Sequence, residues 1–189
     1  MKRAIVIVVL GIVLGLGSAV GALWYGGIAG GLRVGPWGTP LDAGGVNRNI
    51  YTRAVVAVRA TLGLSRKETI YFGAMTDSAG AKLRGECTYT VHGPDLPARW
   101  WSITLYANDQ YLIANPANRY SYASANIARG EKGDFSITVG PTAAPGNYLD
   151  TARAPHLELL TRLYQPLADA AANPAGIKLP AIDLVGCAP

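Results

Sequence analysis

The chain has 189 residues, of which 50% are hydrophobic and 15% are charged. This composition is too apolar for a disordered protein, and the length allows one domain with a core of its own. The 17 basic and 12 acidic side chains give a formal net charge of +5 without any long block of like charges. Nucleic-acid binding is therefore not expected.

The first element is an uncharged apolar run over residues 4–25. As a helix with a rise of about 1.5 Å per residue it covers about 33 Å, enough for a bilayer core of about 30 Å. Lys2 and Arg3 precede it, so the positive-inside rule predicts a single-pass inner-membrane protein whose C-terminal domain faces the periplasm or the cell exterior. A cleaved signal peptide is the alternative for residues 1–25, because residues 20–22 are small enough for a cleavage site.

Residues 26–46 contain eight Gly and two Pro, a composition typical of a flexible tether. Residues 47–62 then show apolar side chains at three- and four-residue steps and are followed by Gly63, which predicts an amphipathic helix that covers an edge or face of a sheet. The predicted apolar face contains Ile50, Tyr51, Ala54, Ala57, Val58 and Leu62, with Arg48, Thr52 and Arg59 opposite. The exported domain is thus assigned to residues 47–189.

From Glu68 onward the hydrophobic period changes toward two, which indicates β-strands. The strands are predicted at residues 69–75, 87–92, 100–106, 135–139 and, with an interruption at Pro180, 177–185. Residues 156–164 fit a helix or a strand equally well. Short strands separated by Gly, Pro, Asn and Asp turns favour a mainly β, antiparallel sandwich. Within the third strand Trp100 and Trp101 must point to opposite faces, so one is core and the other lies on an outer face, an interface or under the helix.

Three stretches carry a family resemblance: DSAGAKLRGECTYTVHGPDLP, WWSITLYANDQYLIANPANRYSY and NYLDTARAPHLELLTRLYQP. Over about residues 68–187 the chain resembles domain of unknown function 1214, whose longer members carry domain of unknown function 1254 ahead of it. The resemblance implies a jelly-roll β-sandwich and a strand over residues 156–165. Residues 147–150 depart from it, because relatives tend to show Trp and Pro there.

The two cysteines, Cys87 and Cys187, allow one disulfide in an oxidising compartment, closing a loop of about 100 residues. Two buried free thiols are the alternative, and the spacing has no metal-binding signature. No metal site and no cofactor are predicted.

Catalysis would have to use His92 or His156, the only two histidines in the chain. Neither lies in a nucleophile or zinc motif. Glu158 lies two residues after His156 on one strand face, and these two could join His92 and Asp95 as metal ligands only if the fold brought them together. Ordinary hydrogen bonding of two strand histidines is the simpler interpretation. An envelope hydrolase that uses either histidine with a nearby carboxylate is the alternative function.

The most prominent polar group is Asn115, Asn118, Arg119, Tyr120 and Tyr122. An Arg fork beside aromatic rings can hold a carboxylate or sugar hydroxyls, while the same residues can instead cap a turn and stabilise a loop. The sequence thus predicts a noncatalytic envelope module that binds a small polar ligand, a glycan or an envelope protein partner. A homo-oligomer that uses an outward Trp and the Gly face of the anchor is a third possibility. Arg162 and Tyr164 share a strand face with Glu158, either in solvent or along a groove.

Overall fold

The computed structural model describes residues 2–23, 31–40, 44–45, 50–58 and 62–188. The first element is α1 (Lys2–Leu23), which carries no buried residue. It is the one helix among the described residues that is long and apolar enough to span a membrane. Residues 24 and 25 of the predicted anchor lie outside the described residues.

Ten strands and two further short α-helices follow among the described residues. The strands are β1 (Leu32–Val34), β2 (Trp37–Thr39), β3 (Thr69–Ala74), β4 (Cys87–Gly93), β5 (Ala98–Ala107), β6 (Ser121–Ala123), β7 (Phe135–Gly140), β8 (Tyr148–Asp150), β9 (Leu157–Pro166) and β10 (Ala181–Cys187). The helices are α2 (Ile50–Val58) and α3 (Ala168–Ala172), with a 3-10 turn at Pro174–Gly176.

The strands form a six-stranded sheet with the order β1-β2-β3-β9-β5-β6 and a four-stranded sheet with the order β10-β4-β7-β8. The described strand pairs are antiparallel apart from β7 and β8, which run parallel. The prediction of a mainly β protein is therefore confirmed, while the expectation of a purely antiparallel arrangement is wrong at this one edge.

The two sheets share one hydrophobic core because alternate residues of each strand point between them. On β5, Trp101, Ile103 and Leu105 are at most 2% exposed. The Trp101 ring meets Phe135 of the other sheet at a centroid distance of 4.9 Å. Trp100 points to the opposite face, remains 39% exposed and packs on Tyr164 at 5.3 Å.

Strand β9 covers the segment whose period was ambiguous. It lies between β3 and β5, pairs with both along its length, and places Leu159 and Leu163 in the core. The strand implied by the family resemblance is confirmed, and the helical alternative is wrong. As a central strand, β9 satisfies its backbone hydrogen bonds by pairing with β3 on one side and β5 on the other. A helix at this position would leave the facing edges of β3 and β5 without a partner.

The predicted tether contains an ordered hairpin. β1 and β2 pair through a two-residue turn that starts at Gly35, whose φ is +58°, a conformation that glycine adopts without strain. β2 then pairs with β3. Trp37 is 0% exposed, and its Nε1 donates a hydrogen bond to the Pro180 carbonyl at 2.7 Å. Residues 31–40 are therefore part of the sandwich, which corrects the flexible-tether prediction for these residues and adds them to the predicted domain. Residues 26–30, 41–43 and 46 of the predicted tether lie outside the described residues.

Helix α2 differs from its prediction in the residues that it buries. It covers residues 50–58, while residues 47–49 and 59–61 of the predicted helix lie outside the described residues. Ile50 and Tyr51 are 72% and 39% exposed, whereas Thr52, assigned to the polar side, is 7% exposed. Because most positions of this short helix are apolar, periodicity does not define a single buried face.

The last strand also begins later than predicted. Residues 174–176 form the 3-10 turn, and β10 starts at Ala181, directly after Pro180. Proline has no N–H for a ladder, so the strand cannot extend through that position. β10 pairs with β4 at the edge of the four-stranded sheet, with a register shift between Leu184 and Gly186.

Candidate functional site

The predicted ligand-binding residues lie in and next to the loop between β5 and β6, residues 108–120, which we call the Arg119 loop. Asn115 organises this loop. Its Nδ2 donates to the carbonyls of Ile113 and Arg119, both at 3.0 Å, and its Oδ1 accepts the Arg119 N–H at 3.1 Å. Asn118 has φ +48°, a left-handed conformation that asparagine tolerates better than most residues. Asn115 thus has a structural role in fixing the turn.

Tyr120 and Tyr122 make hydrogen bonds that hold the same loop in place. Tyr122 is 8% exposed, and its hydroxyl accepts the Tyr148 N–H at 3.0 Å, which connects the six-stranded sheet to β8. The Tyr120 hydroxyl donates to Asn118 Oδ1 at 3.1 Å. These contacts fix both ends of the segment that carries Arg119.

Arg119 itself is exposed, and its guanidinium carbon lies 5.1 Å from the centre of the Tyr122 ring. Across residues 62–188 and the other described ranges, this guanidinium has no ion pair or hydrogen bond from its nitrogen atoms. Tyr111 and Leu112 of the same loop are 75% and 48% exposed. The structure therefore presents a cation and apolar side chains on a loop whose backbone is already fixed.

His92 is paired with a carboxylate that the sequence analysis did not single out. Its Nε2 lies 2.8 Å from Asp183 Oδ2, and the two side chains are 48% and 55% exposed. Ser136 of β7 is the cross-strand partner of His92. The three residues lie on neighbouring strands of the four-stranded sheet, but the described structure contains no hydrogen bond from Ser136 to His92. The pair supplies a base with an orienting carboxylate on an open surface.

The other catalytic candidates are separated from this pair. His156 is exposed in the turn before β9, while Glu158 is 4% exposed and accepts a hydrogen bond from Gln110 Nε2 at 2.5 Å. Asp95 accepts Trp101 Nε1 at 2.7 Å and Arg129 Nη2 at 3.1 Å. Among the described residues, no three or more His, Cys, Asp or Glu side chains form a group able to hold a metal ion.

Arg162 anchors a polar network on the outer face of the six-stranded sheet. Its Nη1 donates to Thr104 Oγ1 at 2.9 Å and its Nη2 to the Tyr106 hydroxyl at 2.6 Å. Burial raises the pKa of the Tyr71 phenol and the nearby Tyr164 phenol adds to this, although the Arg162 guanidinium acts in the opposite direction. The phenol of Tyr71 therefore stays neutral at ordinary pH. This network rigidifies the face that carries Trp100.

Asn147 is a residue that sequence reasoning missed. It is 8% exposed. Its side chain accepts the Ala128 N–H at 2.9 Å and donates to the carbonyls of Ala128 and Ser136 at 2.8 and 2.9 Å. Tyr148, which follows it, donates its hydroxyl to the Gly140 carbonyl at 2.8 Å. These polar contacts attach β8 to β7 and to the segment before it.

The cysteines are joined. Cys87 and Cys187 are opposite residues on β4 and β10 and form a disulfide with a sequence separation of 100. The bond attaches the edge strand β10 to the interior of its sheet.

Two sheets around a single core, preceded by one long apolar helix, define a mainly β domain whose exposed polar features lie on loops and sheet surfaces. The chain belongs to the family described as protein of unknown function (DUF1214), which matches residues 68–168. This match confirms the family predicted from the three quoted stretches, and none of the curated proteins matches the chain.

Solved structures support the fold. The VPA0106 protein from Vibrio parahaemolyticus is 24% identical, with a TM-score of 0.61 over 71% of this chain. The match covers 35% of that protein, so the chain spans about a third of its length. An uncharacterised protein from Burkholderia cenocepacia is 12% identical, with a TM-score of 0.41 over 63% of this chain and 29% of that one. This likeness is too weak to support the fold.

Proposed function

We propose that the chain is a single-pass membrane protein whose jelly-roll-like sandwich lies outside the cytoplasm and binds a carboxylate-bearing ligand through the Arg119 loop. The length and apolar character of α1 support the membrane attachment. Lys2 and Arg3 before the apolar run support the orientation. The disulfide is of the kind that persists in oxidising compartments.

The observation that carries the binding proposal is the state of Arg119. Its guanidinium is exposed, stacks on Tyr122 and has no polar partner among the described residues. A guanidinium presents its donors in a rigid fork that matches a carboxylate, and a stacked side chain on a fixed loop loses little conformational freedom on binding. Tyr111, 75% exposed on the same loop, offers an aromatic face to a sugar ring or another apolar ligand part. Small organic acids, acidic glycans and acidic protein segments all present this chemistry.

The test is a thermal-shift screen of the full chain in detergent micelles against acidic sugars, small carboxylates and their neutral counterparts. We expect an acid-specific stabilisation that Arg119→Ala abolishes and Arg119→Lys weakens, because Lys keeps the charge and loses the fork. Arg33→Ala, an exposed position on β1, is the matched control and should keep the shift. A shift that survives in Arg119→Ala, or the absence of any acid-specific shift, contradicts the proposal.

A second candidate is an envelope hydrolase, favoured by the 2.8 Å contact between His92 and Asp183 with Ser136 across the sheet. A histidine oriented by a carboxylate is the arrangement that activates a serine hydroxyl. It ranks second because both side chains are about half exposed, and acyl transfer needs a site that excludes water around the developing charge. Ester hydrolysis lost in both Ser136→Ala and His92→Ala supports it; hydrolysis that is absent from the wild type, or unchanged in these variants, rejects it.

A further inference from the structure

The two cysteines of the disulfide differ in exposure. Cys87 is 1% exposed, whereas Cys187 lies in the exposed part of the edge strand β10. An open depression of about 270 Å³ borders both residues. Its other lining residues are Asp77, Ala81, Lys82, Arg84, Tyr89 and Leu184.

Arg84 places a cation at the sulfur atoms. Its Nη2 lies 3.8 Å from Sγ of Cys87 and 3.8 Å from Sγ of Cys187. The Nε atom of the same guanidinium lies 3.2 Å from Glu86 Oε1, and the Arg84 backbone N–H donates to the Tyr89 hydroxyl at 2.9 Å. These contacts hold the guanidinium next to the bond. A neighbouring cation lowers the pKa of a cysteine thiol and makes its thiolate a better leaving group.

We propose that this disulfide is a thiol–disulfide exchange site whose co-reactant is a dithiol, either a small molecule or a dithiol oxidoreductase. The incoming thiolate attacks Sγ of Cys187, the more exposed of the two residues, and forms a mixed disulfide there. The S–S bond breaks, and its electron pair leaves on Cys87 Sγ as a thiolate beside Arg84. The second thiol of the co-reactant, as its thiolate, then displaces Cys187 Sγ, so the dithiol is oxidised by two electrons and both cysteines are reduced.

Acidic and basic side chains also surround the disulfide. The Asp77 carboxylate accepts the N–H groups of Ala79 and Ala81 at 3.0 and 2.9 Å, and Glu86 Oε1 lies 3.2 Å from Arg84 Nε. Lys82 adds a second cation to the rim of the depression. At a separation of about 4 Å from the half-exposed Arg84 side chain, one cation accelerates thiolate departure by about fivefold, equivalent to about 1 kcal/mol.

Exchange would release one end of the edge strand. The disulfide closes the last pair of the β10–β4 ladder, and the Ala188 N–H donates to the Glu86 carbonyl at 3.0 Å just beyond it. The rest of β10 keeps Ile182 in the core. The sandwich would therefore remain folded while its exposed edge becomes free to rearrange. This inference is independent of the Arg119 loop, and binding and exchange can fail separately.

The test measures the rate at which dithiothreitol reduces the folded full chain in micelles, followed by a maleimide-polyethylene glycol gel shift. We expect reduction faster than global unfolding, about fivefold slower reduction in Arg84→Gln, and no change in Arg33→Gln. Melting temperatures of the oxidised variants establish that both are folded. A rate equal to that of unfolding, or an Arg84→Gln rate equal to wild type, overturns the proposal.

A second readout uses the unmodified chain and does not depend on a variant folding. Brief exposure to reduced glutathione, followed by alkylation and peptide mapping, locates the mixed disulfide. The glutathione adduct is expected on Cys187, because this residue is exposed whereas Cys87 is buried. An adduct on Cys87, or no adduct on the folded chain, rejects the proposed exchange step.

Discussion

Replacement of Trp37 by alanine tests whether the β1–β2 hairpin is part of the sandwich. The Trp37 side chain is 0% exposed and donates to the Pro180 carbonyl at 2.7 Å. Truncation of a buried Trp to Ala costs about 3–5 kcal/mol. The carbonyl left without its donor adds about 1 kcal/mol. We therefore expect Trp37→Ala to lower the free energy of unfolding by about 4–6 kcal/mol, a large share of the roughly 5–15 kcal/mol typical of a domain.

The assay is urea unfolding of the full chain in micelles, followed by near-ultraviolet circular dichroism. Trp37→Phe, which keeps the aromatic ring and loses the donor, should cost about 1–3 kcal/mol. Arg33→Ala, on the exposed side of the same hairpin, should stay within about 0.5 kcal/mol of wild type. A loss below about 1 kcal/mol in Trp37→Ala would refute the reasoning, because residues 31–40 would then behave as the flexible tether that their composition suggests.

Three further predictions concern the rest of the domain. Burial, with a contribution from Asp150, raises the pKa of Tyr148 to about 12 from 10.0; as pH rises from about 10 to 12 the unfolded chain loses this proton first, so stability should fall. Denaturation curves at pH 9 to 12 should show a shallower fall in Tyr148→Phe, and an identical pH dependence contradicts the assignment. Asn147→Ala should destabilise the domain by about 2–3 kcal/mol in urea, since buried backbone groups lose their partners, and a loss under 0.5 kcal/mol would indicate that water replaces the side chain. Replacement of both Cys87 and Cys187 by Ser should cost about 2–5 kcal/mol for a loop of 100 residues, and equal stability of the variant and the oxidised wild type would argue against that estimate.

The strands that the sequence predicts well are those with one apolar face. Trp101, Ile103 and Leu105 alternate with polar residues because the hydrophobic core lies on one face of β5, and this period indicates a strand although Ser102 and Thr104 on the other face are also buried. β9 gives no such signal. Leu157, Leu159, Leu160 and Leu163 satisfy both periods, and its identity depends on pairing with β3 and β5, which a local pattern does not contain.

The hairpin was missed for a different reason. β1 and β2 have three residues each, too few to display an alternation, and glycines surround them. Trp37 is the one large aromatic residue in this stretch, and it is buried. Tertiary contact with Pro180, 143 residues away, is what orders the segment, so composition alone predicts a tether.

The candidate site was predictable where local turn chemistry determines it. Asn115 and Asn118 were recognised as turn formers, and their side chains do make the contacts of a turn. The pairing of His92 with Asp183 spans 91 residues and requires the β4–β10 register. No sequence spacing encodes that register, so the sequence alone does not identify Asp183 as the partner of His92.

The most direct test of the proposed role is the side of the membrane on which the sandwich lies. Tyr111, 75% exposed on the Arg119 loop, is replaced by Cys in the full chain, and a membrane-impermeant maleimide is applied to right-side-out and inverted vesicles. Lys2→Cys serves as the marker for the opposite side. We predict that Tyr111→Cys is labelled only in right-side-out vesicles and Lys2→Cys only in inverted ones. Labelling of Tyr111→Cys in inverted vesicles alone would place the domain in the cytoplasm and contradict the account.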